Sequence, residues 1–97
     1  AYRALGLYPR ARAKLAEVNQ TLQGQADSAL KVAGLLNYGD ALRLVGEFDQ
    51  SERVLKQGLA IAERLSAPGE VALAWLSLGN VARAQEDFST AAQYYQK

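Results

Sequence analysis

The chain has 97 residues, 49% of them hydrophobic, which is enough to bury one small core without help from metals or disulfides. Its 11 basic and 10 acidic residues are dispersed along the sequence, so no strong field attracts nucleic acid or anionic lipid. Cysteine and histidine are absent, which removes thiolate nucleophiles, imidazole bases and the usual ligands of zinc, copper and haem.

The remaining polar residues do not form a recognisable catalytic set. Ser77 has no histidine to activate it, and the carboxylates of Glu63, Glu70 and Asp87 show no paired spacing. We therefore predict no catalytic residue, no metal site and no cofactor. With no cysteine, signal peptide or long apolar run, the sequence favours a cytoplasmic protein with no membrane partner.

The first two predicted helices cover about residues 9–23 and 28–45. Pro9 suits a first helical turn, and Gly46 suits the position after a helix end. Residues 1–6 resemble the last turns of a helix whose start is missing, so we interpret the chain as a fragment of a larger protein.

The last three predicted helices cover about residues 49–65, 69–85 and 89–97. In the first of these, apolar residues from Val54 to Ala62 recur at three- and four-residue steps and form one helix face. Asp49 followed by Glu52 predicts a capping box at its start. No stretch alternates with the two-residue period of a strand, so the sequence predicts an all-α fold.

The chain repeats itself with a period of 40 residues. Residues 1–8 align without a gap with residues 41–48 and 81–88, and an arginine and an aromatic residue recur in all three copies. We predict a single domain over residues 1–97, divided into repeats at about 1–26 (partial), 27–66 and 67–97.

These repeats resemble a known signature. Trp75, Leu78, Gly79, Ala82, Phe88, Ala91 and Tyr95 match the pattern of the tetratricopeptide repeat family, and residues 35–55 give a weaker copy. The 40-residue period is longer than the usual 34 or so. It is similar to the variant repeats of kinesin light chains, of bacterial signalling regulators, and of cyanobacterial proteins that carry a caspase-like CHAT protease domain. The resemblance implies a right-handed superhelical solenoid of α-α hairpins with five helices, the terminal ones truncated.

The resemblance also implies a concave peptide-binding groove. Its positions in this chain are Ala33, Leu36, Asn37, Asp40, Arg43 and Leu44 in one repeat, and Leu73, Leu76, Ser77, Asn80, Arg83 and Ala84 in the next. Arg3, Arg43 and Arg83 would form a row whose guanidinium groups suit the carboxylates of an acidic peptide. Two alternatives remain open: Asp40 pairs with Arg43 along its own helix, or the leucines are buried against a neighbouring helix.

The resulting functional hypothesis is a protein–protein interaction scaffold that holds a peptide or helix of a partner. One alternative is a structural spacer that self-associates through exposed terminal helices, where Tyr94 and Tyr95 lie. Another is a regulatory repeat region of a larger enzyme such as a CHAT protease. Nucleic acid is not an expected partner, because Asp40 interrupts the arginine row. Trp75 is expected in the core, although an exposed tryptophan would suit a binding hot spot.

Overall fold

Five α-helices follow one another along the chain. A computed structural model describes the backbone of residues 7–97 and the side chains of residue 10 and residues 13–97. The helices are α1 (Leu7–Gln23), α2 (Ala29–Leu44), α3 (Phe48–Arg64), α4 (Pro68–Ala84) and α5 (Phe88–Tyr95). Their bounds lie within two residues of the sequence-based ranges, and the all-α prediction is confirmed. The predicted helix end at residues 1–6, which includes Arg3, lies outside the described residues.

Local signals at the amino-terminal ends start the helices. The Ser28 side chain caps α2 by accepting a hydrogen bond from the backbone N–H of Lys31 at 3.1 Å. Pro68 is in the first turn of α4, where a backbone N–H would have no hydrogen-bond partner within the helix. The predicted capping box of α3 was wrong: Glu47 is the N-cap residue, no side chain caps the helix, and Asp49 lies inside its first turn.

Three of the helices end in the same kind of turn. The residue after the C-cap has a positive φ in each case: +86° at Gly46, 53° at Ser66 and 62° at Glu86. The backbone N–H of the next residue then bonds back into the helix, from Glu47 to the Leu42 carbonyl and from Asp87 to the Ala82 carbonyl, both at 2.9 Å. Left-handed backbone is natural for glycine but strained for the other two residue types.

The helices pack as layers around one core. α2 contacts α1, α3 and α4, while α4 also contacts α3 and α5. Buried aliphatic residues fill the space between α2, α3 and α4, and those that are almost completely buried include Val32, Leu35, Leu42, Leu55, Leu78 and Val81. None of the helices in the described part of the chain is long and apolar enough to cross a membrane.

One glycine in each hairpin lets its two helices approach closely. A Cβ atom on Gly39 would lie 2.5 Å from the Leu55 side chain, and one on Gly79 would lie 2.3 Å from the Tyr95 ring. The first contact is reinforced by Ser51, whose buried hydroxyl donates a hydrogen bond to the Gly39 carbonyl at 2.6 Å. α2 and α3, and likewise α4 and α5, therefore pair through backbone-to-side-chain contacts.

Polar contacts join the outer ends of α1, α2 and α3. The side-chain amides of Gln23 and Gln57 exchange hydrogen bonds at 3.0 and 3.1 Å. Arg64 donates a hydrogen bond to the Asp27 carboxylate at 2.7 Å, and the Lys31 ammonium lies 3.6 Å from the same carboxylate. The hydrogen bond from Arg64 is the main reason why the pKa of Asp27 falls below its ordinary value of 3.8.

Candidate functional site

The exposed side of α2 and α4 carries most of the predicted groove residues. α2 and α4 contact each other directly, so their outer side chains form one surface, which we call the α2–α4 face. It consists of Ala33, Asn37, Asp40, Arg43 and Leu44 from α2, and Leu73, Leu76, Asn80, Arg83 and Ala84 from α4, each at least partly exposed. Residues at such steps of three and four lie on one side of a helix, which explains why the sequence places them together.

Two of the predicted groove residues do not reach this surface. Leu36 is only 6% exposed, because its side chain packs against Gly58 of α3, where an added Cβ atom would lie 3.2 Å from a Leu36 methyl group. Ser77 is 7% exposed. Both are corrections to the predicted groove. Burial against an adjacent helix thus applies to Leu36, whereas Leu73 remains 54% exposed and Leu76 50% exposed.

The partly exposed side chains of Asp40 and Arg43 do not pair with each other. Among the described residues, no ion pair joins them, so the predicted pairing along the helix is not formed. The Asp40 Oδ1 atom and the Arg43 Nε atom are both shielded from solvent and have no hydrogen-bond partner. Polar atoms in this state carry a desolvation penalty of about 1–3 kcal/mol. Asp40 and Arg43 on the α2–α4 face therefore each have one polar atom without a hydrogen-bond partner.

Asn80, the α4 residue equivalent to Asp40, has a hydrogen-bond partner on α5. The Tyr95 hydroxyl donates a hydrogen bond to the Asn80 Oδ1 atom at 2.7 Å, which fixes the amide against α5. Forty residues earlier, Asp40 corresponds to Asn80 and Leu55 corresponds to Tyr95, so no hydroxyl is available there. The Asn80 Oδ1 atom therefore has a hydrogen-bond partner, whereas the Asp40 Oδ1 atom has none.

The arginines add positive charge to the same face. Arg43 is partly exposed and Arg83 is exposed, and each occupies the last turn of its helix, where a cation interacts favourably with the helix dipole. A guanidinium group can bind a carboxylate through two parallel hydrogen bonds. No group of three acidic residues that could hold a metal ion occurs among the described residues. The chemistry available on this face is hydrogen bonding and charge pairing.

Trp75 lies at the edge of the core rather than fully inside it. Its ring packs against the core and lies 5.6 Å from the Tyr94 ring, and the Lys97 ammonium lies 5.6 Å from its centroid. An ammonium group at that distance from an indole is attracted to the ring face. Trp75 is therefore held by α5 and by the residues after it, on the opposite flank of α4 from Leu73.

Sequence reasoning missed a cavity at the start of α4. The cavity has a volume of about 550 Å³, and its lining is mainly apolar, from Ala67, Pro68, Val71 and Ala72. Glu63 and Lys97 supply one charge of each sign at its rim. The 40-residue alignment pairs Ala72 with the larger Val32, and this difference in side-chain size is the signal that would have indicated the cavity. The α2 residue equivalent to Ala72 is Val32, which is completely buried, whereas Ala72 is exposed.

Comparison with known proteins gives one family. No curated protein and no solved structure matches the chain significantly. The model of the tetratricopeptide repeat family matches residues 31–97, which comprise α3, α4, α5 and nearly all of α2. Since this match covers more than half of the sequence and agrees with the helical hairpins described above, the chain belongs to the tetratricopeptide repeat family.

Proposed function

We propose that this chain is a non-catalytic protein-interaction module that binds a peptide or helix of a partner on the α2–α4 face. Members of the family are generally protein–protein interaction modules. The observation that carries the proposal is the state of Asp40 and Arg43, which are neighbours on this face and have buried polar atoms without partners. A ligand that reaches these side chains would give the carboxylate and the guanidinium group charge-assisted hydrogen bonds, for which the described part of the chain shows no ion-pair partner.

The composition of the face suggests the character of the ligand. Ala33, Leu44 and Leu73 supply apolar contact area, while Asp40, Arg43, Asn80 and Arg83 supply one carboxylate, one amide and two guanidinium groups. A segment with alternating apolar and polar side chains matches such a surface. Because cations outnumber the carboxylate here, we expect the polar side chains of the ligand to be acidic on balance.

A selection from a random peptide library displayed on phage tests this function. Peptides that bind the 97-residue chain are synthesised, and their affinities are measured by isothermal titration calorimetry. We expect the double variant Arg43→Ala/Arg83→Ala to weaken binding at least tenfold. The affinity of the wild-type chain should also fall as salt increases, since part of the attraction is between exposed charges.

The matched control is Arg10→Ala/Arg53→Ala, which removes the same charge from exposed positions on α1 and α3. This control should bind the selected peptides as the wild type does. Equal losses in the two double variants would mean that only net charge matters, and the proposed site would be wrong. A library that yields no peptide would also contradict the proposal.

Self-association is a second candidate, favoured by a specific observation on α5. Phe88 is 61% exposed and Tyr95 is 42% exposed, although both are large apolar or aromatic side chains. Light scattering over a concentration series would detect growing assemblies, and Phe88→Ser should suppress them. A molecular mass that stays monomeric up to millimolar concentration would rule this candidate out.

A further inference from the structure

The two helices of the α2–α4 face carry different pairs of polar side chains at equivalent positions. We call Asp40 and Arg43 the α2 pair, and Asn80 and Arg83 the α4 pair. The members of each pair are three residues apart, which makes them neighbours on a helix surface with Cβ atoms about 5–6 Å apart. Each pair is therefore close enough together to contact one planar group of a ligand.

The α2 pair offers a hydrogen-bond acceptor beside a donor. An ionised carboxylate only accepts hydrogen bonds, and a guanidinium group only donates them. No nitrogen atom of Arg43 lies within 4.0 Å of an Asp40 carboxylate oxygen, so the two groups do not use each other. Of their polar atoms, Asp40 Oδ1 and Arg43 Nε are shielded from solvent without a partner, which leaves Oδ2 and the two Nη atoms to contact a ligand.

The free hydrogen-bonding groups of the α4 pair are mainly donors. The Asn80 Oδ1 atom accepts the hydrogen bond of the Tyr95 hydroxyl at 2.7 Å, which engages the acceptor of this amide. The amide nitrogen carries two N–H donors, and it makes no hydrogen bond within the described part of the chain. Arg83 is exposed and forms no ion pair with another described residue.

We propose that the two pairs select different groups of one ligand: the α2 pair binds the side-chain carboxamide of an asparagine or glutamine, and the α4 pair binds a carboxylate. This inference rests on the function proposed above and specifies which ligand the α2–α4 face takes. A carboxamide donates from its nitrogen to Asp40 and accepts from Arg43 through its oxygen. A carboxylate accepts from both members of the α4 pair, whereas at the α2 pair it would meet the like charge of Asp40.

The spacing of the helices sets the spacing of the two ligand groups. α2 and α4 contact each other directly, and the axes of packed helices lie about 8–10 Å apart. In the extended polyproline II conformation, residues three positions apart point to the same side and lie about 9 Å apart. The ligand is therefore an extended segment that crosses from α2 to α4, with the carboxamide and the carboxylate three positions apart in either order.

The phage-selected peptides described above provide the probe. We expect most of them to contain asparagine or glutamine three positions from aspartate or glutamate. For the tightest such peptide, four versions are synthesised with glutamine or glutamate at each of the two positions, and isothermal titration calorimetry gives their dissociation constants with the 97-residue chain. The version with one glutamine and one glutamate in the selected order should bind at least threefold more tightly than the other three versions.

Two isosteric substitutions assign each ligand group to a helix. Asp40→Asn makes the α2 pair resemble the α4 pair, so the version with two glutamates should become the tightest. Asn80→Asp should instead make the version with two glutamines the tightest. The matched control is Asp49→Asn, which removes an exposed carboxylate from α3 and should keep the wild-type order of affinities. Circular dichroism would verify that all three variants fold.

Two results would overturn the inference and leave the proposed function standing. The first is a set of selected peptides that lacks the three-position spacing although Arg43→Ala/Arg83→Ala weakens their binding. The second is an order of affinities that Asp40→Asn leaves unchanged, or that Asp49→Asn changes equally. A library that yields no peptide would contradict both the inference and the proposed function.

Discussion

The α2–α3 and α4–α5 hairpins occupy equivalent positions in the 40-residue repeat, yet the contacts between their helices are buried to different degrees. In the first hairpin, Leu55 presses on Gly39, Ser51 bonds to the Gly39 carbonyl, and all three are buried. In the second, Tyr95 presses on Gly79 from a half-exposed position. The residue that contacts the glycine is thus buried in the first hairpin and 42% exposed in the second.

The difference indicates where the chain can tolerate change. A buried contact has no room to relax, because interiors are packed as densely as organic crystals. A half-exposed ring such as that of Tyr95 can swing toward solvent. Substitutions made at equivalent positions of the two hairpins should therefore differ in effect, and each pair below tests that expectation.

The largest difference is expected for alanine at the close-approach glycines. Gly39→Ala would place a methyl group 2.5 Å from the buried Leu55 side chain. Overpacking of this kind costs about 1–3 kcal/mol or more, and better helix propensity returns about 1 kcal/mol. We expect a net destabilisation of roughly 2 kcal/mol, measured by urea unfolding followed by circular dichroism.

Gly79→Ala is the matched substitution in the open hairpin. Tyr95 can move aside, so the gain in helix propensity should offset most of the lost contact. We expect a change below about 1 kcal/mol, with loss of the hydrogen bond between Tyr95 and Asn80 visible by NMR. Equal destabilisation by the two substitutions would show that both hairpins are packed equally closely around the glycine.

The next difference concerns the buried hydroxyl of Ser51, which the second hairpin replaces with Ala91. Ser51→Ala removes a 2.6 Å hydrogen bond in the core and should destabilise the protein by about 1 kcal/mol in urea unfolding. Ala91→Ser should change stability by less than about 0.5 kcal/mol if the new hydroxyl reaches the Gly79 carbonyl. A large loss in Ala91→Ser would mean that the second hairpin cannot adopt the geometry of the first.

A smaller difference is expected at the turns that close α2 and α4. Gly46→Ala should cost about 1 kcal/mol from backbone strain alone, since no atom lies within 4 Å of the added methyl group. Glu86→Gly should stabilise by roughly 0.5 kcal/mol, because relief of strain exceeds the added freedom of the unfolded chain. Thermal unfolding should show opposite shifts in midpoint, and shifts of the same sign would contradict the assigned turn conformations.

The smallest effect is expected from the ion pair between Asp27 and Arg64, whose place in the second repeat is taken by Ala67. The pKa of Asp27 is lowered in the folded protein, so its stabilising contribution is present above pH 3.8 and is lost as the pH falls below that value. Arg64→Gln should lower the urea midpoint slightly at pH 7. The difference from the wild type should vanish near pH 2.5, and a difference that is independent of pH would disprove the assignment.

Much of the fold could be predicted because local and repeating signals agree. Ser28, Gly46 and Pro68 mark helix ends in the sequence, and the three- and four-residue steps of α3 define its buried side. The capping box failed because Glu47 already occupies the N-cap position, which leaves Asp49 two residues inside the helix. A difference of two residues in the position of an N-cap is below what propensity can resolve.

The candidate site could be predicted only in part. Family positions located the α2–α4 face, but they could not show that Leu36 is covered by α3 while its equivalent Leu76 is open. That difference depends on which helix lies beside each residue, and neither the residue type nor its spacing encodes it. Likewise, Asn80 and Asp40 are equivalent in sequence, and only the neighbouring Tyr95 or Leu55 decides their hydrogen bonding.

The turns at Gly46, Ser66 and Glu86 recur at intervals of twenty residues and share one backbone conformation. Because these three joints are built alike, the chain can be lengthened or shortened by whole helices or hairpins between them without redesign of the junctions. Joining Gly46 directly to Asp87, for example, would excise one 40-residue unit and restore the same turn. Growth of such a protein by gene duplication would then require only that each new layer cover the apolar surface left by the one before it.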